Sequence, residues 1–225
     1  MLINPELIPG PLLLLLALLM LAGLAIAVWY GPWQALRAVP TRVHLVLGAS
    51  LGCTCLWLMS ISLGEVASVH LLAMTSVTLV LGWCLAVLAG SLALLAQLLI
   101  LGEPLTALPA AWLFSVAVPA SLSSWLVSRL PRRQNLFLYT LGGGFAGGML
   151  CALAVAVLAT GFLWLAGEAE LAGRALEAWP MLALVLFPEG FINGMLVTAA
   201  CVFFPGAVKT FDEGLYFGDD ESGHS

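Results

Sequence analysis

Apolar runs long enough to cross a bilayer follow one another through most of this chain, and that succession constrains its fold more than any motif. A membrane-crossing helix needs about 20 apolar residues. Length and helix breakers mark segments at roughly 11–30, 43–62, 66–81, 83–101, 107–129, 136–166 and 178–204. The first ends at Gly31-Pro32, and the fourth ends at Gly102-Glu103-Pro104. Gly82 divides a stretch too long for one span. Only 8% of residues are charged, too few to coat a water-soluble domain, and mean hydropathy is +1.10. The reading is an all-α integral membrane protein of about seven transmembrane helices, in the plasma (inner) membrane. Residues 1–208 form one polytopic domain, and 209–225 an acidic cytoplasmic tail expected to be partly disordered.

Basic residues orient the spans. Cytoplasmic loops collect Lys and Arg. With seven helices and an external N-terminus, Arg37, Arg42, Arg129, Arg132, Arg133 and Lys209 all fall inside, and only Arg174 falls outside. Fusing 66–101 into one span would put the 129–133 cluster opposite the Arg37 loop, so the charges support the break at Gly82 and a cytoplasmic C-terminus. The first span has no basic flank ahead of it, although Ala25-Ile26-Ala27 resembles a cleavage site, so it is read as retained. The net charge of -5 and acidic tail argue against nucleic acid as a partner.

In "LGGGFAGGML" (Leu141–Leu150), Gly143 and Gly147 are four apart, as are Gly144 and Gly148. Such faces let helices approach closely in lipid, which predicts a packing seam rather than a phosphate loop. The five cysteines lie in apolar runs and read as small buried hydrophobes.

Polar groups within spans carry the functional expectations, because burying them in lipid is costly. His70 opens the third segment, with Met74 and Thr78 at four-residue steps, one face of a helix. It is read as a metal ligand or as an imidazole hydrogen-bonded at the interface. Glu189, in "FPEGFINGML", should lie ~15 Å into the last helix, with Asn193 on the same face. It is either a carboxyl that locks helices together or part of a substrate pathway. Gln97 suits an interhelical hydrogen bond. His70 should lie only ~6 Å below its helix start, so it and Glu189 are not expected to share an ion. His44 and His224 read as interfacial or solvated.

"SVHLLAMTSVTLVLGW", "LALLAQLLILGEPLTAL" and "PEGFINGMLVTA", taken in that order, resemble the CbiM/NikM-like family. Its members are membrane substrate-capture subunits of cobalt and nickel energy-coupling factor transporters. The resemblance covers most of residues 43–208 and implies seven spans with an external N-terminus. It also implies a metal site built from the amine of Met1, a histidine at position two and the histidine that falls on His70. Here position two is Leu2, so this chain resembles a divergent branch with one nitrogen donor fewer.

The resulting expectation is a capture and transport subunit for a divalent transition metal such as nickel or cobalt, with no resident cofactor. Lys209 is the only lysine, and no Gly-x-x-x-x-Gly-Lys loop is present, so ATPase and transmembrane coupling subunits are expected as partners. Met1 and His70 are the expected metal donors; Met74, Gln97, Glu189 and Asn193 are polar pathway or packing residues. A non-transporting assembly protein and a capture subunit for an organic substrate are the alternatives. No nucleophile with a base and no His-Glu-x-x-His pair points to an enzyme.

Overall fold

The computed structural model describes residues 2–39, 41–63, 67–130 and 136–211. Met1, Arg132, Arg133 and the acidic tail at 212–225 lie outside the described residues. In chain order, β1 (Leu2–Ile3) precedes α1 (Gly10–Trp29), α2 (Trp33–Ala38) and α3 (Thr41–Leu58). Then come β2 (Ile61–Leu63), β3 (Ala67–Val69), α4 (Met74–Leu81) and α5 (Trp83–Leu101). One composite span joins α6 (Leu108–Trp112), a π-helical segment (Leu113–Ala117) and α7 (Val118–Arg129). A second π-helical segment (Leu138–Ala146) leads into α8 (Gly147–Leu165). The short α9 (Ala169–Glu177) and the long α10 (Trp179–Phe203) complete the helices.

Five of the described helices are long and apolar enough to cross a membrane: Gly10–Trp29, Trp83–Leu101, Leu105–Arg129, Leu138–Leu165 and Trp179–Phe203. A sixth apolar helix, Arg42–Leu58, is shorter. The helical membrane fold read from the sequence is therefore present. The outer surface is apolar, and a set of polar groups is buried within an apolar core. Leu14, Leu18, Leu184 and Phe187 are exposed, whereas Gln97, Ser115, Ser123, Glu189 and Asn193 are buried. Lipid solvates leucine as well as a protein core does, while a polar group in hydrocarbon needs a protein partner.

The third apolar segment departs from expectation. Rather than one helix from 66, the chain forms β3, continues without regular structure from His70 to Ala73, and becomes helical only at Met74. β3 is the centre of a small antiparallel sheet ordered β1-β3-β2, with Leu2 opposite Ser68 and Ile61 opposite Val69. Because residues 70–73 are not helical, the expected single face of His70, Met74 and Thr78 does not form. Ala73 takes a left-handed backbone (φ 54°) that turns the chain into α4.

At the other end of α4 the sequence reading holds. Gly82 has φ 79° and ψ 164°, a conformation essentially restricted to glycine. Its N–H closes α4 on the Thr78 carbonyl (2.8 Å), and its own carbonyl accepts the Ala86 N–H (3.0 Å) to open α5. The two helices fold back on each other, so a Cβ at Gly90 would lie 3.1 Å from the Met74 sulfur. Against the seven expected, five helices reach spanning length, α3 is shorter, and the third apolar segment contributes only an eight-residue helix.

The glycine seam also forms. A Cβ at Gly144 would stand 3.1 Å from the Gly194 Cα, and one at Gly148 would stand 3.0 Å from the Asn193 amide. From α10, a Cβ at Gly190 would meet the Phe145 carbonyl at 2.8 Å and Met149 Cγ at 2.6 Å. Gly190→Ala is therefore expected to lower stability by about 1–3 kcal/mol, as overpacking does. Gly161→Ala, with nothing within 4 Å, should be near neutral. Thermal unfolding of detergent-solubilised protein compares the two.

Candidate functional site

β1 precedes α1, β2 follows α3, and β3, paired with both, leads directly to His70. The imidazole is 5% exposed and packs on the Trp57 ring at the end of α3, with centroids 5.1 Å apart. Its Nδ1 lies 3.2 Å from the Leu71 carbonyl. A carbonyl can only accept, so Nδ1 carries the hydrogen and the lone pair resides on Nε2, the arrangement that suits a metal-ligating histidine.

Around His70 the polar side chains hold backbone. The Trp57 indole donates to the Leu72 carbonyl at 3.0 Å, and Gln97 Nε2 donates to the Trp57 carbonyl at 2.6 Å. This bond joins α5 to α3. Its Oε1 has no hydrogen-bond partner among the described residues.

Glu189 reaches from α10 to the start of α4. Leu72 N–H donates to Oε2 at 2.6 Å, and Ala73 N–H donates to Oε1 at 2.8 Å. Asn193, one turn on, accepts the Ser76 N–H at 2.7 Å and donates its own amide to Glu189 Oε1 at 2.7 Å. The first N–H groups of any helix lack intrahelical partners, and a carboxylate there also meets the positive end of the helix dipole. Glu189 and Asn193 are therefore a capping pair supplied from another helix. Both carboxylate oxygens are engaged, which favours the locking role over a pathway role.

Met74 is buried against Gly90 of α5. Its position in the core sets it apart from His70 as a packing residue. Met1 lies outside the described residues, but β1 brings Leu2 opposite Ser68, two residues before His70. Among the described residues no three His, Cys, Asp or Glu side chains come together as a metal site. Sequence reasoning missed the sheet, the capping role of Glu189 and the stacking of Trp57. A glutamate followed four residues later by an asparagine on an apolar helix was the available sign of two polar groups on one face.

Glu189→Ala leaves two buried amides without acceptors and is expected to cost roughly 2–6 kcal/mol, at about 1–3 kcal/mol each. Glu189→Gln keeps one acceptor oxygen and should cost less. Thermal unfolding of the two variants gives the order.

The family model CbiM, described as the cobalt uptake substrate-specific transmembrane region, matches residues 3–207. Comparison with curated proteins and with solved structures returned no match. A match over nearly the whole chain agrees with the long apolar helices and the polar groups buried among them. The chain belongs to the CbiM family and is a multi-pass membrane component of metal uptake, not an enzyme.

Proposed function

We propose that this chain is the substrate-capture subunit of an energy-coupling factor transporter for a divalent transition metal of the nickel and cobalt kind. The ion is taken at the outer face by His70 Nε2 together with donors from the start of the chain, the amine of Met1 among them. The observation that carries this reading is the pairing of β1 with β3, which ties the first residues to the strand leading into His70. In this reading backbone or terminal nitrogen donors complete the site at His70. Neutral imidazole and amine nitrogens suit first-row divalent ions.

In this reading the protein crosses the plasma membrane seven times with its N-terminus outside. The five long helices, α3, and the β3–α4 segment make up the seven passages. Arg37, Arg42, Arg129 and Lys209 then gather on the cytoplasmic face, as the positive-inside rule requires. The sequence has no phosphate-binding loop, so ATPase and coupling subunits supply the energy. Glu189 and Asn193 hold α4 in place and do not ligate the ion.

Micromolar nickel or cobalt should raise the melting temperature of the purified protein, and His70→Ala should remove the shift. Equal shifts in both proteins would refute the assignment. Elemental analysis that finds no metal, with a stoichiometric protein partner, would favour the assembly-protein alternative. Leu2→His supplies a further nitrogen donor and should tighten binding in the same titration.

A further inference from the structure

The helix α4 is held at both ends by the last part of the chain. At its N-terminal end, Glu189 and Asn193 of α10 take the amides of Leu72, Ala73 and Ser76. At its C-terminal end, the segment that follows α10 returns to the same helix. Lys209 N–H donates to the Val80 carbonyl at 2.8 Å, and Thr210 N–H donates to the Leu79 carbonyl at 3.2 Å. The Thr210 hydroxyl donates to the same Leu79 carbonyl at 2.8 Å, and lies 2.5 Å from the Tyr139 hydroxyl. Val208 and Phe211 are buried beside these contacts, with the Phe211 ring 5.4 Å from Tyr139.

These bonds satisfy two of the carbonyls that the end of a helix leaves without intrahelical partners. Lys209 and Thr210 are exposed while Leu79 is fully buried, so the strap closes the end of α4 from the surface. Every residue of α4 except Val80 is buried. Its eight residues span about 12 Å, and His70 lies four residues before its first turn. The helix is therefore a short rigid strut with the candidate ion site at one end and the strap Val208–Phe211 at the other.

We propose that the strap Val208–Phe211 positions the capture site through α4, and that its undocking on the opposite face loosens the His70 end and releases the ion. Thr210 is the positioning residue. The proposal rests on the capture reading above for the ion, whereas the mechanical link between the two ends of α4 stands independently of it.

The test uses full-length protein in lipid nanodiscs, with nickel as the probe. Thr210→Val keeps the side-chain shape and removes the hydroxyl bonds; Thr210→Pro also removes the amide donor. Thr160→Val deletes a hydroxyl that bonds the Ala156 carbonyl in α8, away from the strut, and serves as control. Hydrogen exchange is followed separately at 208–211, at 72–76 and in α8. The expected result is faster exchange at 208–211 and at 72–76, each by about fivefold or more, with α8 unchanged. Nickel affinity should fall by a similar factor, and Thr160→Val should change neither.

A freed strap with unchanged exchange at 72–76 would overturn the proposal. So would acceleration that extends equally through α8, which is general destabilisation, or failure of both Thr210 variants to loosen 208–211. Accelerated exchange at 72–76 in a protein that binds no nickel even as wild type would uphold the link between the ends of α4 and refute the capture reading and the ion-release step together.

Discussion

Two backbone amides meeting one carboxylate determine much of this architecture. Leu72 and Ala73 sit where the chain leaves extended structure and enters α4, and their N–H groups point into a protein interior that offers no bulk water. Without Glu189 those amides and the adjacent helix dipole would make a helix start at that depth expensive. With it, an eight-residue helix can begin in the middle of the bundle. The preceding segment can then remain extended and carry His70 under the sheet.

The same accounting explains why the centre of the molecule is polar. Asn193 secures Glu189 and caps Ser76; Trp57 holds the Leu72 carbonyl; Gln97 holds the Trp57 carbonyl. Apart from the Asn193–Glu189 bond, which joins two side chains, each fixes a main-chain group that would otherwise lie unpaired in a water-poor interior. Small residues make the approach possible. Gly144 and Gly148 bring the helical unit before and within α8 close enough to α10 for Asn193 to lie against Gly148. Lipid-facing leucines, by contrast, contribute little to helix association, since lipid tails are equally apolar.

Much of this was legible in the sequence. The break at Gly82, the glycine seam, the order of apolar segments and the polar status of Glu189 follow from local pattern and the chemistry of lipid. The start of the third segment was not legible. "SVHLLAMTSV" has the hydropathy of a helix, and nothing within it announces a strand at 67–69. The pairing that makes that strand comes from Leu2–Ile3 and from Ile61–Leu63, too short to carry a period of two. The cap on α4 was equally hidden, because its donor and acceptor are separated by more than a hundred residues. His70 could be singled out as an isolated imidazole, but its Trp57 stacking partner belongs to a helix whose end no local rule places beside it.

The left-handed turn at Ala73 has a consequence of its own. An alanine with φ 54° occupies a backbone well that costs an L-residue about 1–2 kcal/mol relative to the right-handed region, and its N–H is one of the two that Glu189 holds. The junction is consequently a cocked spring, with the carboxylate as its catch. If the catch slips, rotation at Ala73 toward the right-handed region releases that strain, and it does so three residues from the imidazole.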